Sequence, residues 1–334
     1  MNTNPPLRIG ILAFEGCMGL EIFGVADVLL MANLVAQGMG RMGAAPFEVK
    51  VIGLQGRIVK AAGGLEMLSK RPRGPFDLIV VPGLALSRSA QWPEKLIRLQ
   101  PELAFLRKSF SRGTPVASIC IGAFLLAEAG LLDGRRATTA WIMAKELQRR
   151  YPAIRVSPDA MLLEDGAIIT SGAMSATFDL ALYLIKRTLG AEIASATARI
   201  ALLPKPRASQ APYVDAQLIT PLPHDASASA SPSFSGNVVQ WLAQRLQAPY
   251  DLTSLAQAFH VSPRTLMRRI KTETGHSPLT LLQQARVNQA KQLLHTTAWS
   301  IPKIVEAVGY SDVATFSRLF AREVGLTPAR YRAS

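Results

Sequence analysis

Apolar positions along the chain follow two different rhythms. Between residues 7 and 200, short β-branched runs alternate with stretches whose apolar residues recur every three or four positions. The runs Arg8–Phe14, Phe47–Leu54, Leu78–Val81, Val116–Ile119 and Ala167–Thr170 read as strands. The stretches near Glu21–Val35, Glu94–Ser111, Ala123–Ala129, Ile142–Arg150 and Ala176–Thr188 read as helices. This alternation predicts an α/β unit whose mainly parallel sheet is covered on both faces. Ligands of such folds gather at the carboxyl ends of the strands. From Gly236 onward only the helical rhythm remains, which predicts an all-α second domain.

That helical region contains one unit twice, about fifty residues apart. Arg268 and Arg318, Gly275 and Gly325, and Pro278 and Pro328 recur with a spacing of 50. Leu255 and Phe259, or Ile304 and Val308, lie four apart and share a face of a first helix. Ala258 and Ala307 let a second helix cross closely. Gly309 suits a left-handed turn, whereas His260 at the matching place is less permissive. Ser262 and Ser311 are expected to cap the second helices, and Pro263 suits a first helical position. Leu266 and Ile270, or Phe316 and Phe320, hold each second helix down. Arg264, Thr265, Arg268, Arg269 and Lys271 are then left to face a partner in the first copy. Ser311, Val313, Ala314, Thr315, Ser317 and Arg318 are left in the second.

A short helix, a tight turn, a cap and a basic helix is the layout of a helix-turn-helix. The two units are placed at about 252–273 and 301–323. Ser277-Pro278 opens a helix carrying Leu281, Leu282, Ala285, Ala290, Leu293 and Leu294. As a rigid spacer it would set the two reading helices about one DNA turn, ~34 Å, apart. Two ordinary αα-hairpins with solvated basic faces would share the periodicity; the duplicated caps and G-x-x-P stops favour a DNA reader.

Charge supports that reading. The 334-residue chain has a formal net charge of +14 at pH 7. Residues 236–334 hold twelve Lys or Arg against five Asp or Glu, a net of +7. Basic side chains neutralise phosphates and release counterions, so promoter DNA is the expected partner. The length allows two or three domains and the 49% hydrophobic content a sizeable core. Cys17 and Cys120 are the two cysteines. They form neither a disulfide framework nor a metal-ligand spacing, which fits a reducing cytoplasm; no metal or cofactor is expected. The apolar run Leu7–Phe14 is too short for a signal-peptide core or a membrane span. A cytoplasmic protein with no membrane partner is expected. Six prolines between Pro204 and Pro232, and the Ala/Ser run ending at Ser231, suggest a linker over 201–235. Its first half, around Arg207 to Leu218, is expected to pack on a domain. The domains are therefore 7–200, 201–235 and 236–334.

One turn in the first domain carries candidate chemistry. Pro115 to Ala123 runs from an apolar strand into a helix with Cys120 at the junction, a nucleophile-elbow layout with sulfur for oxygen. A helix N-terminus would lower the thiol pKa. Gly122 would permit the close approach. The Ile121 N–H and one from the Pro82-Gly83-Leu84 turn would form an oxyanion-type cradle. Cysteine hydrolysis also needs a base near the thiol. The four histidines, His224, His260, His276 and His295, all lie beyond residue 200. A Cys–His dyad within residues 7–200 would therefore need a histidine from elsewhere.

Residues 236–333 resemble the AraC/XylS family of bacterial transcription regulators. The carrying residues are Val308-Gly309-Tyr310-Ser311-Asp312, Phe316 to Phe320, Gly325 to Pro328 and Tyr331-Arg332. Residues 7–195 resemble the ThiJ/PfpI superfamily, related to class I glutamine amidotransferases. There the resemblance rests on Val81-Pro82-Gly83, the Ser118–Gly122 elbow, the run Ala127–Thr139 and Asp179. Together they resemble GlxA-type regulators, which implies a flavodoxin-like, class I glutamine amidotransferase-like domain followed by a tandem helix-turn-helix. Where that family commonly has His then Trp, this chain has Ala140-Trp141, so the elbow keeps its thiol and loses its partner. Glu21 matches the family's acidic residue beside the Cys, and the resemblance implies that it hydrogen-bonds the thiol or serves as a weak base, its carboxyl pKa raised by burial.

The resemblance implies a ligand pocket of Glu21, Gly83, Leu84, Cys120, Ile121, Ala140, Trp141 and Ser171, enlarged at Ala140. Small amines, amino acids and quaternary ammonium compounds are the effector classes it implies. It also implies promoter DNA and RNA polymerase as partners, and a homodimer. The rival expectation is an active cysteine-dependent amidase or hydratase, of isonitrile-hydratase type, attached to a DNA-binding domain.

Overall fold

The chain divides into two units, Met1–Gln210 and Ala211–Ser334. The computed structural model describes residues 5–40, 45–85, 92–204, 206–214 and 234–332.

In the first unit, β1 (Leu7–Leu12) pairs in parallel with β2 (Phe47–Ile52), Leu7 beside Phe47 and Leu12 beside Ile52. A hairpin, β3 (Ile58–Lys60) and β4 (Glu66–Leu68), follows. β5 (Leu78–Val81), fully apolar, and β6 (Val116–Ser118), which ends on a buried serine, are buried along their whole length. β7 (Arg136–Ala137) and β8 (Arg155–Val156) form a small parallel pair. β9 (Leu162–Asp165) runs antiparallel to β10 (Ile168–Ser171) and closes one edge. The six-stranded sheet has the order β2-β1-β5-β6-β10-β9. Its five parallel strands follow the flavodoxin-like order, so the topological switch point lies between the carboxyl ends of β1 and β5, with β6 next to β5.

The helices are α1 (Gly19–Gly38), α2 (Trp92–Arg98), α3 (Gln100–Ser111), α4 (Ala123–Glu128), α5 (Ala144–Arg150), α6 (Ala176–Leu189) and α7 (Ala191–Ile200). The stretch expected as one helix near Glu94–Ser111 is two, because Pro101 sits in the first turn of α3, where its missing N–H costs nothing. α1 is long and apolar enough to cross a membrane by length and composition alone. Here Ile22, Val25, Leu29, Ala32 and Ala36 bury one face of it in the core. Leu20, Phe23, Leu30 and Leu34 remain exposed.

Part of the 201–235 stretch packs onto the two units. Residues 201–210 belong to the first unit, and 211–214 to the second. Arg207 donates from its backbone N–H to Asp179 Oδ1 (2.9 Å) and from its guanidinium to Oδ2 (2.5 Å). Lys291 Nζ donates to the carbonyls of Ala211 (3.1 Å) and Val214 (2.7 Å). The Ala/Ser run at 225–231 lies outside the described residues.

The second unit contains α8 (Phe234–Ala243), α9 (Leu252–Ala258), α10 (Pro263–Thr274), α11 (Pro278–Thr296), α12 (Ile301–Ala307), α13 (Val313–Val324) and α14 (Pro328–Arg332). It has two cores. Val238, Leu242, Leu255, Leu266, Ile270 and Leu282 build the first. Ile304, Val308, Phe316, Phe320 and Tyr331 build the second, together with Val287, Ala290 and Leu294. α11 supplies residues to both. Its 19 residues correspond to about 28 Å of helix.

Candidate functional site

The carboxyl ends of the strands bring Glu21, Gly83 and Cys120 into contact. Cys120 sits at the end of β6 with φ of 54°, a left-handed conformation that a side chain rarely adopts. The elbow is held against the end of β5. A Cβ at Gly122 would lie 2.6 Å from the Val81 carbonyl and 2.8 Å from that of Pro82, so only glycine fits. Ile119 N–H donates to the Val81 carbonyl (3.0 Å), and Cys120 N–H to that of Gly172 (2.8 Å). The elbow geometry expected of Pro115 to Ala123 is present.

The lowering of the thiol pKa expected at a helix N-terminus is not found. Burial pushes the Cys120 thiol up to about 12, and the neighbouring Glu21 carboxylate adds to the rise. The amides of Ile121 and Met174 pull it back only partly. Cys120 lies in a three-residue 3-10 turn ahead of the six-residue α4, so the helix field at the sulfur is weak. The oxyanion-type cradle is also not assembled. The Gly83 N–H donates to Glu21 Oε2 at 2.5 Å, and the Ile121 N–H faces the thiol itself.

Glu21 is fully buried. Its carboxyl is pushed up to about 7 by burial, against smaller lowering by the Gly83 amide and the Cys120 thiol. Its Oε1 has no hydrogen-bond partner; the thiol lies against the carboxyl without satisfying that oxygen. Cys17 is a second free thiol, pushed by burial to about 11.

The other expected pocket residues take different places. Leu84 bridges Cys17 and is buried. Ser171 donates its hydroxyl to the Ser118 carbonyl (3.1 Å), a tie between β10 and β6. Ala140 is buried and Trp141 half-buried. The backbone on either side of Ala140 is bonded to Gln210. The Trp141 N–H donates to Gln210 Oε1 (3.3 Å), and Gln210 Nε2 donates to the Thr139 carbonyl (2.9 Å). Gln210 has no sequence signal: it stands in an ordinary Ser-Gln-Ala-Pro run after a proline-rich stretch.

In the second unit both expected helix-turn-helix units are present, as α9–α10 and α12–α13. Ser262 caps α10 by accepting from Thr265 N–H (3.2 Å). Ser311 does not cap α13. Asp312 does, accepting from Ala314 N–H (3.4 Å) and Thr315 N–H (2.7 Å). Three residues separate α9 from its following cap and four separate α12 from its own, so Ser311 is an insertion in the second turn. His260 (φ 52°) and Gly309 (φ 85°) hold the same left-handed position, two residues past their helices.

Arg264, Arg268 and Lys271 are exposed along α10, and Val313, Ala314, Thr315 and Arg318 along α13. Thr265 and Ser317 are half-buried. Arg318 donates to Thr315 Oγ1 (3.3 Å), which orders its side chain on that face. Arg269 stands apart from this face. Its guanidinium lies 3.8 Å from the Phe234 ring centroid and near Glu273 (3.9 Å). It braces α8 onto α10.

A DJ-1/PfpI family profile matches residues 7–187, and a helix-turn-helix domain profile matches residues 255–334. The chain is 31% identical over 335 residues to the HTH-type transcriptional regulator GlxA of Rhizobium meliloti, across 97% of this chain and 95% of that protein. It is 26% identical over 334 residues to the HTH-type transcriptional regulator GbdR of Pseudomonas aeruginosa, across 98% of this chain and 84% of that one. Among solved structures, a ThiJ/PfpI family protein from Pseudomonas syringae aligns with a TM-score of 0.50 at 18% identity, covering 65% of this chain and 84% of its own, a likeness of fold alone. The chain thus belongs to the transcriptional regulators that join a DJ-1/PfpI domain to a C-terminal AraC-type helix-turn-helix domain.

Proposed function

We propose that this regulator reads promoter DNA with α10 and α13 and is controlled by a small effector held at the strand ends of its DJ-1/PfpI unit. One observation carries the sensing reading. The elbow keeps the strained shape of a catalytic turn, yet its thiol is protonated at neutral pH and residues 1–210 contain no histidine. Such a site is suited to binding rather than turnover. Glu21, with a pKa near 7, would ionise on meeting a cationic group, so an amine, amino acid or quaternary ammonium effector fits it. Occupancy would favour one arrangement of the DNA-reading unit over another, a population shift.

The regulator is proposed to act as a cytoplasmic homodimer and to meet RNA polymerase at the promoter. The exposed Leu20, Phe23, Leu30 and Leu34 of α1 support the dimer, since a helix apolar on all sides is normally covered. A thermal-shift screen of the full-length protein against amines, betaines and amino acids tests the sensing, paired with anisotropy titrations of a labelled promoter fragment. Promoter affinity that stays the same with every binder would leave a ligand-independent DNA-binding protein.

The strained Cys120 elbow is what favours a second reading, a cysteine-dependent amidase or hydratase with Glu21 as base. Turnover of amides or isonitriles that disappears in Cys120→Ser while promoter binding persists would establish it.

A further inference from the structure

Gln210 is the last residue of the first unit, and its side chain is 1% exposed. Its carboxamide meets a ring of backbone groups. Oε1 accepts from the N–H groups of Ala173 (3.0 Å) and Trp141 (3.3 Å). Nε2 donates toward the carbonyls of Thr139 (2.9 Å), Ala160 (3.0 Å) and Pro158 (3.3 Å), with Thr138 Oγ1 at 3.4 Å. Only one orientation of the amide works. Flipped, its NH2 would face two donors and its oxygen three carbonyls.

Gly172 leaves the room this group needs. A Cβ there would lie 2.4 Å from the Gln210 Cδ. The peptide of Gly172 separates the ring from the elbow, because its carbonyl accepts from Cys120 N–H (2.8 Å). The segment that delivers Gln210 is tied along its length, with Ser209 Oγ donating to the Asp159 carbonyl (2.9 Å) and Arg207 to Ser175 Oγ (3.0 Å). Gln210 N–H bonds to the Asp159 carbonyl (2.7 Å), and Ala208 is reached by Met161 N–H at 3.5 Å. Arg207 ties to Asp179.

We infer that this ring is a binding subsite for a primary carboxamide, held shut by Gln210 as an internal ligand and opened when a free primary amide displaces it. The chemistry is selective. A carboxylate would set a second acceptor against the Thr139, Ala160 and Pro158 carbonyls. An ammonium group would leave the Trp141 and Ala173 N–H groups without an acceptor. A primary amide satisfies both sides. The inference rests on the sensing role proposed above only for its consequence at the promoter.

The test uses full-length protein with acetamide and propionamide as probes, and acetate and propionate as isosteric controls. In Gln210→Ala the amides should raise the melting temperature saturably while the carboxylates leave it unchanged. Adding Gly172→Ala should abolish that shift by filling the ring. In the unsubstituted protein Gln210 competes, so amide affinity should be at least about tenfold weaker. Saturating amide there should raise deuterium uptake at residues 207–210. Equal shifts by acetate and acetamide, no shift in Gln210→Ala, or amide binding without increased exchange at 207–210 would each overturn the inference. The wild-type exchange measurement stands even if Gln210→Ala fails to fold. Amide binding that leaves promoter affinity unchanged would count against the sensing role and leave the subsite standing. Promoter control by amines without any amide binding would do the reverse.

Discussion

Replacing Glu21 with Gln should change how the first unit responds to pH. Glu21 is fully buried, accepts from the Gly83 amide and has one oxygen without a partner. Its carboxyl is raised from 4.5 to about 7, chiefly by burial. Below pH 4.5 the group is protonated in both folded and unfolded chains, and no penalty applies. As pH rises from 4.5 to 7 the unfolded chain ionises first, so stability falls; above 7 the full penalty is in place. A rise of that size corresponds to about 3 kcal/mol. Gln keeps an acceptor for Gly83 N–H and does not titrate. Relative to wild type, Glu21→Gln should therefore gain about 3 kcal/mol between pH 4.5 and 8, whatever its offset at acid pH. For a unit of this size the gain corresponds to roughly 6–12 °C in melting temperature. Cys120, pushed to about 12, does not titrate in this window, so the difference isolates the carboxyl. Calorimetric melts of both full-length proteins from pH 4.5 to 8 would show it. Melting curves that stay parallel across that range would refute the reasoning.

Asp312→Ala should cost about 1 kcal/mol by removing the cap of α13, while Ser311→Ala should change stability little; thermal melts of the second unit's helical signal decide between them. Gly309→Ala should cost about 2 kcal/mol or more, because its Cβ would overlap the Leu246 carbonyl at 2.2 Å as well as adopt a left-handed backbone. His260→Gly, at the same turn position without that overlap, should stay within about 1 kcal/mol of wild type in the same melts. Arg268→Ala or Arg318→Ala should weaken promoter binding by about 1–3 kcal/mol where the side chain reads a base, or lower the salt slope by about 1 where it contacts phosphate. Arg269→Ala should act mainly on stability, through Phe234 and Glu273; equal loss of promoter affinity in all three would contradict the face assigned to α10.

Long-period features were legible in the sequence because each repeats a physical constraint. The five parallel strands and the two helix-turn-helix units fall within a few residues of their expected bounds, since each needs a run of apolar positions at its own spacing. β9 was not legible: Leu162–Asp165 is four residues with two acids, and only its pairing to β10 makes it a strand. α7 has small residues and few large apolar ones, so its periodicity is faint. Ser311 is not the cap because the second turn carries one extra residue, which the shared serine masks in the sequence; the spacing of 50 pairs Ser262 with Asp312. At the elbow, residue identity revealed the shape of the turn. It also pointed to the raised Glu21 carboxyl, but not to the depth of burial that raises the Cys120 thiol instead of lowering it. Gln210 was invisible because its partners are backbone groups, which leave no trace in residue type.

The helix shared by the two cores limits how this regulator can change its target. Leu282 of α11 is committed to one core, and Val287, Ala290 and Leu294 to the other. An α-helix advances 1.5 Å and turns about 100° per residue. One residue inserted between Leu282 and Val287 would barely lengthen the molecule, yet it would swing one reading helix about a quarter turn away from the other. Phase, more than length, is what α11 stores. If α10 and α13 read DNA as proposed, an operator with altered spacing is met more readily by bending or twisting the DNA than by lengthening α11.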